Sequence, residues 1–126
     1  MIVGIGVDVI EVERIERVLR RQGDAFLRHV FTEAEQSKAP ENTTAAASYY
    51  AGRWSAKEAV AKALGTGIGE ACGWRDIDII RWPSGQPAVT LSGAAAKTAE
   101  SRGIKKIHLT ISHEKRLACA SAVAEG

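Results

Sequence analysis

The first ten residues, MIVGIGVDVI, restrict how this chain can pack, because their two alternating faces differ in character. In a β-strand successive side chains point to opposite sides of the sheet. One face consists of the branched aliphatic residues Val3, Ile5, Val7 and Val9. The other face consists of Gly4, Gly6 and Asp8. The sequence therefore predicts a strand whose aliphatic face packs on a core and whose glycine face lies close against another part of the molecule.

Asp8 is the one charged residue in this apolar segment. An ionised carboxylate beside an apolar strand is unfavourable unless it is hydrogen-bonded, paired or bound to a metal ion. Two interpretations stay open on these residues alone. Asp8 and Glu11 have the spacing of a capping box that begins the next helix, and Asp8 also fits a metal ligand.

A second segment, Arg53 to Ile68, reads RWSAKEAVAKALGTGI and places Glu58 and Lys62 one helical turn apart. Residues three or four positions apart share a helix face, so Trp54, Glu58 and Lys62 lie on one side. Arg53 and Lys57 flank that side. The same spacing is also typical of an exposed salt bridge, which contributes only about 0.2–0.5 kcal/mol to stability. The segment therefore either carries catalytic residues or forms an ordinary exposed helix surface.

The first predicted helix, from Glu11 to about Gln22, has a basic stripe opposite its core face. Apolar residues occupy one side of the helix, and Arg14, Arg17 and Arg21 cluster on the other. Such a stripe is either a solvated surface or a docking surface for an acidic partner. Nucleic acid fits less well, because the net charge is only +2 and no aromatic residues alternate with the arginines.

Length and composition predict one globular domain, residues 1–126, in which 25% of residues are charged and 45% hydrophobic. No apolar run has the length of a membrane-spanning helix, and no basic region precedes the N-terminal apolar stretch, so we expect a cytoplasmic protein. Cys72 and Cys119 lack metal-ligand spacing, and we expect small buried thiols rather than a disulfide.

The order of predicted elements indicates an α+β fold, with an antiparallel sheet and a long helix packed against it. Gly23 should end the first helix, after which a short helix begins at Asp24 and a capping box follows at Thr32 and Glu35. Residues 37–44 are predicted as a loop, and the long helix is predicted from about Ala46 to Leu64. The expected later elements are strands 77–82 and 88–91, a helix from Ser92 to about Arg102, and strands near 107–111 and 117–123.

Three motifs together carry a resemblance to a known family. They are Gly4-Ile5-Gly6-Val7-Asp8 followed by Arg14, then Trp54-Ser55-Ala56-Lys57-Glu58-Ala59 running into Lys62-Ala63-Leu64-Gly65-Thr66-Gly67-Ile68, and Ile111-Ser112-His113. In this order and spacing the chain resembles the holo-[acyl-carrier-protein] synthase family, small bacterial 4′-phosphopantetheinyl transferases. The resemblance covers essentially the whole chain. It implies transfer of 4′-phosphopantetheine from coenzyme A to a serine of apo-acyl carrier protein, with release of adenosine 3′,5′-bisphosphate.

The resemblance also implies roles for individual residues. Asp8 and Glu58 would hold Mg²⁺, which takes oxygen ligands and is commonly bound by one or two carboxylates plus substrate phosphates. Asp8, Glu58 and Lys62 would form the catalytic group, and Glu58, directly or through a water, would accept the serine proton. The residues expected to contact coenzyme A are Arg53, Lys62, Gly65, Ser112 and His113.

The implied partners are an acyl carrier protein and further copies of this chain. An acidic helix of the carrier would dock on the basic stripe at Arg14, followed by Arg21 and Arg28. Three copies would form a homotrimer with active sites between neighbouring subunits, and neither nucleic acid nor membrane is expected as a partner. Two other function classes stay open: a coenzyme A-binding regulatory protein without transferase activity, and an enzyme that hydrolyses nucleotide pyrophosphates at the same metal.

Overall fold

The computed structural model describes all residues, 1–126, as five strands and five α-helices with one short 3₁₀ turn at Trp74–Asp76. In chain order the elements are β1 (Ile2–Glu11), α1 (Val12–Gln22), α2 (Asp24–Val30), α3 (Glu33–Ser37), α4 (Thr43–Ala63), β2 (Ile77–Arg81), β3 (Pro87–Leu91), α5 (Gly93–Ser101), β4 (Lys106–His113) and β5 (Leu117–Glu125). The α+β class predicted from the sequence is confirmed.

Local sequence signals define most of the helix ends. Gly23 adopts φ +49° between α1 and α2, a conformation that favours glycine. The Thr32 side chain accepts a hydrogen bond from the Glu35 amide, and the Glu35 carboxylate accepts one from the Thr32 amide, so the predicted capping box is confirmed. The alternative capping role for Asp8 is wrong, because β1 continues to Glu11 and α1 begins without a side-chain cap.

Helix α4 is the longest element, and it begins three residues earlier than predicted. The Asn42 side chain accepts a hydrogen bond of 3.0 Å from the Ala45 amide and so caps a helix that starts at Thr43. The helix ends at Ala63, and Gly65 follows with φ +87°. The loop predicted over residues 37–44 is therefore shorter than expected.

The strands form two sheets rather than the single sheet that we expected. A three-stranded antiparallel sheet has the order β1-β5-β4, and β2 pairs with β3 in a separate hairpin. Strands β3 and β4 approach each other without pairing. The strands themselves were predicted correctly, but pairing between hairpins depends on long-range packing that strand patterns do not encode.

Helix α4 packs across the three-stranded sheet, and the residues that meet there are very small. A Cβ atom added to Gly6 would collide with the Ala59 carbonyl oxygen, and one added to Gly4 would collide with that of Ala63. From β5 the buried alanines at the contact are Ala118, Ala120, Ala122 and Ala124. The expectation that the glycine face of β1 lies close against another part of the molecule is confirmed.

The expectation that the aliphatic face of β1 packs on a core is wrong for the single chain. Val3 is 42% exposed, Ile5 71%, and Val7 and Val9 each 62%. The reason is that side chains alternate across a strand, so once the glycine face approaches α4, the aliphatic face must point away from it. The chain therefore presents a continuous apolar surface on the side of β1 opposite α4.

Two further expectations concern the cysteines and membrane spans. Both cysteines are free thiols, Cys72 buried and Cys119 half-buried, and burial raises the pKa of Cys72 to about 11. None of the helices combines the length and the apolar character needed to cross a bilayer.

Candidate active site

Asp8, Glu58 and Lys62 meet where the end of β1 passes the C-terminal half of α4. Lys62 Nζ lies 3.4 Å from Asp8 Oδ1 and donates a hydrogen bond of 2.9 Å to the carbonyl oxygen of Val7. Glu58 is one helical turn before Lys62 and is close enough to both Asp8 and Lys62 for each to affect its pKa. The close approach of Gly6 to α4 brings the groups together, since Asp8 is two residues further along the same strand face.

Asp8 carries an oxygen that the chain itself leaves without a partner. Its Oδ2 atom is buried and accepts no hydrogen bond. Such an atom is costly unless something else satisfies it. Two neighbouring carboxylates with a free, buried oxygen have the oxygen chemistry that Mg²⁺ requires, and phosphates and waters usually complete its coordination. No group of three or more His, Cys, Asp or Glu side chains that could hold a metal ion is present, so Asp8 and Glu58 are the carboxylates available for such an ion.

The environment of Glu58 makes its carboxyl group harder to ionise than that of an ordinary glutamate. Burial, followed by the like charge of Asp8, raises the pKa of Glu58, while Lys62 and Arg14 act in the opposite direction. The two carboxylates thus repel each other unless a cation or a proton lies between them. A carboxylate with a raised pKa is also a better proton acceptor than an ordinary surface glutamate.

The basic stripe lies on the exposed side of α1 and borders this group. Arg14, Arg17 and Arg21 are all exposed, as is Arg28 on α2. Arg17 pairs with Glu13 at 3.4 Å, whereas Arg14 and Arg21 form no salt bridge within the chain. Arg14 is near enough to Glu58 to lower its pKa. A partner docked on Arg14 would therefore be next to the carboxylates.

Arg53 and His113 lie apart from this group, at the opposite edge of the sheet. They line a cavity of about 400 Å³ beside β4, together with Tyr49, Gly52 and Ile111. Arg53 is only 8% exposed, and its Cζ lies 4.0 Å from the centre of the Tyr49 ring, with Nε unpartnered. Because β5 separates β1 from β4, about two strand spacings of 4.8 Å divide the two sets of residues. One copy of the chain does not bring all the predicted site residues together.

The two remaining residues predicted to contact coenzyme A are Ser112, on β4, and Gly65, just after α4. Ser112 is exposed and pairs across the sheet with Cys119, on the face that also carries Val9. It thus points away from His113, which excludes a Ser-His pair within the strand. Gly65 is exposed just after α4, in the loop that follows Lys62.

Lys57 plays a role that sequence reasoning missed. It is 0% exposed, and its Nζ lies 2.8 Å from Glu35 Oε1 and donates to the carbonyl oxygens of Trp74 and Ile77. Glu35 Oε2 in turn accepts from the Ile79 amide at 2.7 Å. Burial lowers the pKa of Lys57, and the Glu35 carboxylate partly offsets this effect. The ion pair between Lys57 and Glu35 connects α3, α4 and β2. The capping box at Glu35 was the only feature of the sequence that marked either residue as structural.

Comparisons with known proteins identify the family of this chain. The family model of the 4′-phosphopantetheinyl transferase superfamily matches residues 4–121. A holo-[acyl-carrier-protein] synthase of Brucella ovis is 48% identical over 129 residues, covering 99% of this chain and 96% of the relative.

Solved structures of the same kind superpose on all or nearly all of the chain. The crystal structure of holo-[acyl-carrier-protein] synthase from Neisseria meningitidis has a TM-score of 0.85 at 36% identity, covering 100% of both chains. That from Helicobacter pylori, in complex with coenzyme A, has a TM-score of 0.84 at 30% identity, covering 96% of this chain and 99% of the other. The family match, the sequence identity and the superposition together establish that this chain belongs to the 4′-phosphopantetheinyl transferase superfamily, among the holo-[acyl-carrier-protein] synthases.

Proposed function

We propose that this chain transfers 4′-phosphopantetheine from coenzyme A to a serine of apo-acyl carrier protein, using Asp8, Glu58 and Lys62 as its catalytic group and Mg²⁺ as its cofactor. The observation that supports these roles is the meeting of the three side chains, with Lys62 Nζ 3.4 Å from Asp8 Oδ1 and Asp8 Oδ2 buried without a partner. The names of the relatives, and the coenzyme A in one of their crystal structures, support the substrates.

Lys62 can bind a phosphate oxygen in its present position. Its ammonium group has three N–H donors, of which two point to Val7 O and Asp8 Oδ1. The side chain is 48% exposed, so the third donor is available to the pyrophosphate of coenzyme A. Asp8 and Glu58 would hold Mg²⁺, which when bound neutralises charge on the pyrophosphate and orients the bond for in-line attack.

The reaction needs one proton acceptor and one leaving group. The serine oxygen of the carrier forms a bond to the β-phosphorus, and the bond between that phosphorus and the bridging oxygen breaks. Adenosine 3′,5′-bisphosphate leaves with the bonding electron pair. Glu58 takes the serine proton, directly or through a water, because its raised pKa favours the protonated state that results.

The decisive measurement is the intact mass of apo-carrier protein after incubation with coenzyme A, Mg²⁺ and this chain. We expect the mass to increase by one phosphopantetheine group. Asp8→Asn and Glu58→Gln should each abolish the increase, whereas Glu70→Gln, an exposed carboxylate without a partner, should not. An unchanged carrier mass with the wild-type chain would contradict the transfer. Full activity of both carboxylate variants would contradict the metal assignment.

The carrier protein would dock on the arginines of α1. Arg14 and Arg21 are exposed and unpaired, and an acidic helix complements them. Charge reversal at Arg21, which is not among the groups affecting Glu58, should raise the KM for the carrier and leave the KM for coenzyme A unchanged. Lys97→Glu on α5 is the matched control. An unchanged carrier KM in both Arg14→Glu and Arg21→Glu would remove the docking role.

We further propose a homotrimer whose active sites lie between subunits. Asp8, Glu58 and Lys62 lie at the β1 edge, and Arg53 and His113 at the β4 edge, so one subunit supplies each half. A contact between two different edges is head-to-tail, and such contacts form a ring when the rotation between neighbouring subunits closes. The exposed aliphatic face of β1 is the apolar surface that assembly would bury.

Subunit mixing tests the shared site. Asp8→Asn and His113→Ala should each be inactive alone. Mixed after mild dissociation, they should regain activity, because some sites then receive both intact halves. No regain in mixed oligomers, or a fully active monomer by light scattering, would contradict this arrangement.

We place the reaction in the cytoplasm, where the free thiols of Cys72 and Cys119 would stay reduced.

A further inference from the structure

A cleft of about 580 Å³ lies between β3 and β4, and none of the residues assigned above to catalysis, coenzyme binding or carrier docking lines it. Its volume is within the range of small-molecule sites. The floor is aliphatic and continuous with the larger core of the chain: Ala99 and Leu109 are buried in that core, and Val89, Leu91 and Ile104 pack against it. The cleft is therefore an opening into the core that the proposed reaction does not use.

The rim of the cleft is positively charged and has no acidic residue. Lys105 and Lys106 are exposed there, and neither forms a salt bridge within the chain. The carboxylate of Glu125 lies outside the cleft and pairs with His108, whose ring Nε2 is 2.8 Å away. The two lysines remain as cations for a ligand, and a negatively charged group complements them.

The gap between the two strands favours a linear ligand. Each strand pairs on one side only, β3 with β2 and β4 with β5. Cα atoms of β3 and β4 come within 8 Å of each other, whereas a strand inserted between them would need about two spacings of 4.8 Å. A peptide strand therefore does not fit, but a hydrocarbon chain is narrower. Trp82, which is 58% exposed, adds apolar surface at the rim.

We propose that this cleft binds an amphipathic anion, a medium-chain fatty carboxylate, with its hydrocarbon chain on the aliphatic floor and its carboxylate at Lys105 and Lys106. Binding removes apolar surface of both the chain and the floor from water. The charged end stays at the exposed rim, so it keeps contact with water while it pairs with the lysines. This site is separate from the proposed function and does not depend on it.

Isothermal titration calorimetry of the whole chain with decanoate, below the micelle concentration, tests the site. We expect saturable binding of decanoate, and binding weaker by about tenfold or more for decyltrimethylammonium, which has the same chain and the opposite charge. Lys105→Glu combined with Lys106→Glu should weaken decanoate binding by about tenfold or more, the effect of losing one charge-assisted hydrogen bond. The matched control is Lys97→Glu combined with Lys115→Glu, two exposed lysines outside the cleft, and it should bind decanoate as the wild type does.

Tryptophan fluorescence tests where the ligand lies. Of the three tryptophans, Trp82 is exposed, whereas Trp54 and Trp74 are half-buried. Decanoate in the cleft would shield Trp82 from water, so we expect the emission to shift to shorter wavelength. Trp82→Phe should remove this shift, while calorimetry should still detect binding.

Several outcomes would overturn the inference. Binding that is absent, or that occurs only above the micelle concentration, would mean that the cleft does not accept single molecules. Equal affinity for decanoate and decyltrimethylammonium would mean that the rim does not recognise the charge. Unchanged affinity in the variant of Lys105 and Lys106, or an equal loss in the control variant, would exclude these two lysines as the binding group. Thermal unfolding without decanoate should show that all variants are folded, and the comparison of the two amphiphiles needs no variant.

Discussion

The close approach of β1 to α4 predicts that Gly6→Ala is destabilising. The added methyl group would overlap the carbonyl oxygen of Ala59 and would lie 2.8 Å from the Ala63 nitrogen and 2.9 Å from Lys62 Cβ. The first two atoms belong to the backbone in the last two turns of α4 and cannot move aside alone. The strand must therefore retreat from the helix, and Asp8, two residues further along β1, must retreat with it.

The size of the effect follows from two opposing contributions. Overpacking a well-packed contact costs about 1–3 kcal/mol. Replacing glycine by alanine within a regular element returns about 0.5–1 kcal/mol, because the unfolded chain loses freedom. We therefore expect a net loss of about 0–2.5 kcal/mol with a central value of about 1.3 kcal/mol, a factor of roughly ten in the folding equilibrium. Transfer activity should fall as well, since Asp8 would no longer be held against Lys62 and Glu58.

Urea denaturation at one fixed protein concentration measures this loss, because the stability of the proposed oligomer would depend on concentration. Gly69→Ala is the matched control: Gly69 has no atom within 4 Å of an added Cβ and no positive φ. We expect the control to match or slightly exceed the wild type in stability. If Gly6→Ala is as stable as Gly69→Ala, the reasoning about the contact between β1 and α4 is refuted.

Three further predictions concern charge and exposure. Burial and Asp8 raise the pKa of Glu58, so its contribution to stability is full below the pKa of an unfolded glutamate and is lost as pH rises through the folded pKa. Metal-free Glu58→Gln should therefore melt at a higher temperature than the wild type at neutral pH, and this difference should disappear below about pH 4. Equal melting temperatures at neutral pH would show that ionised Glu58 does not destabilise the fold. Lys57→Met leaves the Glu35 charge buried alone and should cost about 3–5 kcal/mol in denaturant unfolding, much of it recovered when Glu35 is also made apolar. Lys62→Met, at a 48% exposed side chain, should cost no more than about 1 kcal/mol, and similar losses at both lysines would contradict the burial assignment. Val7→Asp places a charge on the exposed aliphatic face and should yield monomers by light scattering, whereas an intact oligomer would show that this face is not the contact.

The sequence predicted features that depend on residues within one turn or one strand. The capping box at Thr32 and Glu35, the helix stop at Gly23 and the bare face of β1 each follow from local spacing, because caps and strand alternation involve near neighbours only. The pairing of Glu58 with Lys62 on one helix face is of the same kind. These local features account for the α+β class and for the position of Glu58 and Lys62 on the same face of α4.

Other features were decided only when distant segments packed together. Lys57 and Lys62 are both lysines of α4, yet one is fully buried against Glu35 and the other half-exposed beside Asp8, because different segments cover the two sides of the helix. The aliphatic face of β1 likewise points outward because α4 fits the glycine face more closely, a matter of shape complementarity that hydrophobicity alone does not predict. The sequence by itself thus determined the elements and the chemistry they carry, and the tertiary structure decided which faces meet, because that choice depends on contacts between residues far apart in the chain.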